Sequence, residues 1–124
     1  MAGDVLQQVL SFLELSAQAM QALGVEKTRI VVDPGIGFGK TVAQNFTLLA
    51  RQRELLALGY PVLAGWSRKS SLGAVTGLDV GQRLQPSVAA ALLAVERGAR
   101  IVRVHDVRET VDAIKVWQAM LAQA

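Results

Sequence analysis

Arg29-Ile30-Val31-Val32-Asp33-Pro34-Gly35-Ile36-Gly37-Phe38-Gly39-Lys40-Thr41 is the stretch on which the fold turns. A β-branched run from Arg29 to Val32 stops at Asp-Pro-Gly, the pattern of a strand entering a turn. Thr41 and Gln44 then stand at capping-box spacing, so a helix starts directly after the turn, with Asn45 a second candidate cap. Strand, glycine turn and helix make one βα unit. Outward from it, Pro61 to Gly65 reads as a second strand and Arg100 to Val104 as a third. Phe46, Leu49, Leu56 and Leu58 belong to the helix after the first strand, ended by Gly59 and Pro61. Ser67 to Gly81 reads as a long polar loop with one helical turn, and Gln85 to Arg97 as an alanine-rich helix stopped by Gly98. Asp106 caps a last helix through Asp106-Val107-Arg108-Glu109, with Val111, Ile114, Trp117 and Leu121 along one side. Before the first strand, Leu6, Val9, Leu10, Leu13, Ala17, Met20 and Leu23 repeat at helical spacing from Asp4 to the stop at Gly24.

The order α-βα-βα-βα predicts an α/β class with three parallel strands and four helices. Period-two alternation puts Val31, Asp33, Leu63, Ile101, Arg103 and His105 on one face, and Val32, Val102 and Val104 on the face toward the helices. At 124 residues the chain suggests one domain, 1–124. With 52% apolar and 19% charged residues, disorder is excluded. Thirteen Lys and Arg against ten Asp and Glu leave +3, too small a surplus for a nucleic-acid partner. No cysteine is present, which excludes disulfides, thiol nucleophiles and Cys-based metal sites and fits a reducing cytoplasm. Val88 to Val95 is the longest uncharged apolar stretch, far short of a membrane span. Residues 1–23 carry Asp4 and Glu14 without a basic start, so no secretory signal is expected.

The chemistry-bearing residues gather directly after each strand: Asp33 to Lys40, then Gly65-Trp66-Ser67-Arg68-Lys69-Ser70, then Arg103-Val104-His105-Asp106. Parallel strands share one carboxyl edge, and that edge holds the ligand in such proteins. The glycine run looks like a phosphate loop, but GxxxxGK would need glycine where Pro34 stands, and GxGxxG fails at its last interval. Asp33 could grip a flat ring with an amidine-like pair of donors, or cap its own turn. Arg68 and Lys69 suit an anion, or form an ordinary solvated pair. Arg103 in a strand of Ile and Val calls for an anionic partner or a place at the edge, and His105, a structural residue when read alone, shares its face.

Together these motifs, in this order and spacing, closely resemble bacterial dihydropteroate synthase. The resemblance implies a TIM (β/α)8 barrel that joins 6-hydroxymethyl-7,8-dihydropterin pyrophosphate to p-aminobenzoate in folate biosynthesis and is the target of sulfonamides. It implies Asp33 and Lys69 on the pterin, Phe38 and Ser70 by the p-aminobenzoate, and Arg68 flanking its entrance. Arg103 and His105 would hold the pyrophosphate, with Lys69, Arg103 and His105 the catalytic set. Gly37, Gly65 and Ser67 would line the same pocket. A barrel takes about 250 residues, so the chain is expected to match the C-terminal portion, from the fifth to the eighth helix. The first-strand Asn, the Asp and Asn of the third and fourth strands and two mobile loops would lie outside it. No metal ligand is expected here, because Mg²⁺ would find its protein ligand in the other half. The expected behaviour is an inactive isolated chain, open on its barrel-interior face and free strand edges and therefore self-associating. A non-catalytic pterin- or phosphate-binding remnant and a P-loop nucleotide-binding domain are the alternatives.

Overall fold

A computed structural model describes residues 4–124; the first three residues of the expected 1–124 domain lie outside the described residues. Asp4 opens helix α1 (Val5–Ala22), its Oδ1 accepting the Leu6 N–H at 2.9 Å. Gly24 closes it at φ +97°, a left-handed conformation natural to glycine. Its buried residues are Val5, Leu6, Val9, Leu13 and Ala17, whereas Met20 and Leu23, expected in the stripe, are exposed. Helix α2 (Val42–Ala50) begins with the predicted capping box: Gln44 N–H donates to Thr41 Oγ1, and Thr41 N–H to Gln44 Oε1.

The sheet is parallel and very short. Strand β1 (Leu63–Ala64) pairs with β2 (Ile101–Val102) in the register Leu63↔Ile101 and Ala64↔Val102. The first predicted strand contributes one parallel bridge, Val32↔Val62, and no more. Its two hydrogen bonds run from Val32 N–H to the Pro61 carbonyl at 2.9 Å and from Leu63 N–H to the Val32 carbonyl at 2.8 Å. Extending that ladder either way would require the N–H of residue 61 or residue 34. Both are prolines, so the bridge is bracketed by missing donors. The expected strands 29–32, 61–65 and 100–104 are thus extended segments of which only a few residues pair. Alternation holds nonetheless. Val32, Val62 and Ala64 are buried in the core, whereas Val31 is 45% and Ile101 43% exposed and Leu63 half-buried.

Three further expectations need correction. The helix after the first strand does not run on to Leu58; it gives way to a 3₁₀ segment, Gln52–Leu58. At three residues per turn Gln52, Leu55 and Leu58 share a face, so Leu55 is fully buried and Leu56 is 41% exposed. Gln52 gains from this turn, its Nε2 donating to the Ala94 carbonyl at 2.9 Å and the Arg97 carbonyl at 3.3 Å at the end of helix α4 (Leu84–Glu96). The long polar loop contains a two-turn helix, α3 (Ser70–Thr76), ended by Gly77 in the left-handed region. In α5 (Val107–Leu121) only Thr110 is buried; Ala113, Ile114 and Trp117 are half-buried, and Val111 and Leu121 are exposed.

The 3₁₀ segment supplies a test. Leu55→Ala is expected to cost about 2–5 kcal/mol as a buried large-to-small change, and Leu56→Ala well under half of that, in denaturant unfolding. The reverse ranking would mean that α2 continues as a regular helix.

Candidate functional site

Carboxyl ends of the three parallel segments carry the site, and each loop is fixed differently. After Val32, the Asp33 carboxylate turns back so that Oδ1 accepts the Gly35 N–H at 2.8 Å. The local turn role is therefore real, and it leaves Oδ2 without a hydrogen bond among the described residues. Phe38 N–H donates to the Gly35 carbonyl, Gly37 N–H to Asn45 Oδ1, and Lys40 Nζ to the Gly35 and Phe38 carbonyls. A phosphate loop needs free amides and a free lysine. Here the Gly35, Gly37 and Phe38 amides and the Lys40 ammonium are already hydrogen-bonded, which counts against the P-loop reading alongside the spacing.

After β1, Ser67 is buried and Arg68 sits at φ +59°, the sole non-glycine residue in the left-handed region among those described. That conformation costs of order 1–3 kcal/mol and needs outside support. Helix α4 and its approach provide it: Ser87 Oγ accepts the Arg68 N–H at 2.8 Å, and Arg83 Nη1 donates to the Arg68 carbonyl at 3.1 Å. Arg83 Nε also donates to the Leu78 carbonyl at 3.0 Å. The guanidinium lies against Gly73, where a Cβ would fall 2.6 Å from Cζ and 2.7 Å from Nε. Glycine at 73 thus answers a close approach. Arg68's own side chain reaches Asp106 at 3.4 Å. Asp106 stands at the start of α5 as expected, but its carboxylate makes no capping bond and faces Arg68 instead.

The turn aims Lys69 at the first loop. Its Nζ donates to the Ile36 carbonyl at 2.8 Å and stands 4.6 Å from the centre of the Phe38 ring. Phe38 is otherwise 66% exposed. Gly37, at φ +86°, lies so near that a Cβ would fall 3.2 Å from Lys69 Cδ. Ser70 is exposed at the start of α3. Beyond β2, Arg103 lies across Gly65, where a Cβ would fall 2.9 Å from Nη2 and 3.3 Å from Nε. Its guanidinium has no hydrogen bond or ion pair among the described residues. His105 Nδ1 meets Ser67 Oγ at 2.8 Å, and the same oxygen accepts the His105 N–H at 3.2 Å. Ser67 thus holds the His105 ring and backbone together, the direction of the ring bond following the imidazole tautomer. Burial first and Arg103 second push the Lys69 ammonium below the usual lysine pKa, with Asp33 opposing.

Lys69, Gly37, Phe38, Gly65, Arg103, Ser67 and His105 thus come together across the strand ends. Arg68 is turned aside to Asp106. Sequence reasoning missed Ser71, Gly73, Arg83 and Ser87, and saw Asn45 only as a possible cap. The adjacent serines and the arginine before the alanine-rich helix were the sole signals.

A parallel α/β domain with two acids, Asp33 and Asp106, and several cations at the carboxyl ends of its strands is what fold and site define. The chain belongs to the pterin-binding enzyme family, whose sequence profile matches residues 1–105. It is 49% identical over 116 residues to the dihydropteroate synthase of Haemophilus influenzae, covering 94% of this chain and 42% of that protein. To the Escherichia coli K12 dihydropteroate synthase it is 44% identical over 111 residues, covering 90% of this chain and 39% of that protein. The Xanthomonas albilineans dihydropteroate synthase in complex with 7,8-dihydropteroate superposes with a TM-score of 0.97 at 50% identity, over 98% of this chain and 47% of the other. The Yersinia pestis enzyme with a sulfonamide drug gives 0.96 at 38% identity, over 100% and 45%. The chain therefore spans less than half the length of the relatives it matches. The expected resemblance and its barrel parentage hold; the expected number of regular strands does not.

Two outcomes follow for the cations. Gly65→Ala must push the Arg103 guanidinium away, so the Lys69 pKa is expected to rise toward its ordinary 10.5 in an NMR titration. An unchanged value would mean that Arg103 does not act on Lys69. Between the lowered folded value and 10.5 the unfolded chain keeps the proton that the folded chain has lost, so stability rises with pH across that window. Lys69→Met is expected to abolish that rise in unfolding measurements at alkaline pH.

Proposed function

We propose that this chain carries one side of a dihydropteroate synthase site, which condenses 6-hydroxymethyl-7,8-dihydropterin pyrophosphate with p-aminobenzoate to give 7,8-dihydropteroate and pyrophosphate. One observation carries the reading: Lys69 and Arg103 act on each other as like charges across the strand ends, and among the described residues no carboxylate forms an ion pair with either. Such a pair is poorly placed without an anion and well placed with one. The neighbouring Asp33 has one carboxylate oxygen still free for the paired donors of a pterin edge. The crystallised Xanthomonas albilineans relatives with 7,8-dihydropteroate and with 4-aminobenzoic acid support this choice of ligands.

In this reading Asp33 receives the pterin's amino and ring N–H edge, and Lys69 contacts the ring beside Gly37. Phe38 and Ser70 meet p-aminobenzoate, or a sulfonamide in its place, with Arg68 flanking the entrance. Arg103, laid across Gly65, and His105, held through Ser67, take the diphosphate. The C–O bond from the pterin's exocyclic carbon to the diphosphate breaks first, and the amine nitrogen then bonds to the cationic carbon. The electron pair leaves with pyrophosphate, and the nitrogen gives up a proton. Arg103 and the His105 ring offset the charge developing on the leaving oxygen, where fixed donors act most strongly. Mg²⁺ prefers an octahedron of oxygen ligands. It is commonly held by one or two carboxylates together with substrate phosphates, and its protein ligand is proposed to lie in the half of the enzyme outside this chain, so no step here is routed through it.

Among the described residues no helix is long and apolar enough to cross a membrane, and a cysteine-free chain supports a cytoplasmic setting. The exposed Val31 and Ile101, with half-buried Leu63 between them, support cover by a second copy through this face or the free strand edges.

Calorimetric titration tests the site. The chain is expected to bind pyrophosphate and 6-hydroxymethyl-7,8-dihydropterin, to form no dihydropteroate by itself, and to lose about tenfold in pyrophosphate affinity on Arg103→Ala, the loss of one charge-assisted contact. Binding of ATP without pyrophosphate or pterin would overturn the reading. Light scattering tests the covering face, and a monomer at all micromolar concentrations would remove the second copy.

A further inference from the structure

The peptide unit between Ile36 and Gly37 is gripped at both ends by side chains from different elements. Its carbonyl accepts from Lys69 Nζ at 2.8 Å, and its N–H donates to Asn45 Oδ1 at 3.0 Å. Asn45 comes from α2 and is only 2% exposed. Its other end, Nδ2, donates to Ser71 Oγ at 2.9 Å. Ser71, 3% exposed, lies two residues after Lys69 in α3. These contacts close a ring: Lys69 to the Ile36–Gly37 peptide, to Asn45, to Ser71, and back along the chain to Lys69.

We propose that Asn45 and Ser71 are positioning residues that set where the Lys69 ammonium stands. The proposal deepens the pterin-site reading and rests on it for the claim that Lys69 meets ligand. A peptide unit is planar, so holding its N–H fixes the direction of its carbonyl. Gly37 is a residue whose backbone resists rotation least. Without Asn45 the plane is free to turn, and the carbonyl that receives Lys69 turns with it. A lysine stem has four flexible carbons and a strongly hydrated head, so an ammonium without that acceptor returns to water. The carboxamide suits the task because it offers an acceptor and a donor on one rigid group. Ser71 fixes the carboxamide's orientation, and the same helix turn fixes Lys69, so both sides of the ring share one frame.

The test uses the labelled 124-residue chain and two readouts that need no ligand. Hydrogen exchange at Gly37 reports the peptide plane, and an NMR titration of the Lys69 side chain reports its surroundings, where Arg103 and Asp33 are the charged neighbours. Asn45→Ala is expected to speed Gly37 exchange by about tenfold, the loss of one hydrogen bond, and to return the Lys69 pKa toward its ordinary value. Ser71→Ala is expected to move both in the same direction by less. Asn45→Asp, whose carboxylate accepts from Gly37 and from the Ser71 hydroxyl turned as donor, is expected to restore the Gly37 protection. A Lys69 pKa unchanged in both alanine variants overturns the proposal. Should Asn45→Ala lose its helical circular dichroism, Ser71→Ala decides alone. In the calorimeter both alanine variants are expected to bind 6-hydroxymethyl-7,8-dihydropterin several-fold more weakly. An unaltered chain that binds no pterin sinks the reading of the site, while exchange and titration still decide the positioning.

Discussion

Two hydrogen bonds, Val32 N–H to Pro61 and Leu63 N–H to Val32, tie the first parallel segment to the rest of the sheet. Pro34 and Pro61 deny it any others of the ladder. A strand so lightly paired cannot by itself dictate where the following glycine loop stands. The loop's position is set instead by side chains that arrive from elsewhere: Asn45 from α2, and Lys69 from the turn before α3. The site is thus assembled by cross-links between loops more than by the sheet beneath them.

Those cross-links leave charge unbalanced by design of the geometry. Apart from Asp106 with Arg68, the carboxylates that form ion pairs do so away from the strand ends, as Asp4 and Glu54 do with Arg51 and Glu96 with Arg53. Exposed pairs of that kind contribute little to stability. Lys69 and Arg103, by contrast, keep their charge beside one another. Burial already weakens the ammonium, and the guanidinium adds to that. An incoming anion would relieve both effects together, which couples ligand charge to the protonation of Lys69.

Much of this was legible in the residues. Strand ends marked by Asp-Pro-Gly, Gly-Trp-Ser and Arg-Val-His fixed which groups share an edge, because parallel strands leave no other choice. Alternation correctly separated Val32 from Val31. What stayed hidden depended on partners distant in the chain. Leu56 satisfies a helical repeat as well as Leu55 does, and the tighter turn that favours Leu55 follows from Gln52 reaching the end of α4. Asp106 has the right spacing for a cap, yet Arg68 competes for it from thirty-eight residues away. Buried Asn45 looked like a helix start because its true partners, Gly37 and Ser71, carry no pattern of their own.

Gly65 and Gly73 have ordinary backbone angles, yet each forms the floor beneath an arginine. In genetic terms the pairs Gly65–Arg103 and Gly73–Arg83 are bound by epistasis. At each glycine the atoms nearest an added methyl belong to a guanidinium, so at 65 the lesion displaces a charged group, and at 73 it also loosens the support of the Arg68 turn. A shorter residue opposite would accommodate that methyl but would not recover the lost contacts. Drift at either member is therefore hard to rescue from the other, and each glycine is locked in sequence space by the arginine it accommodates.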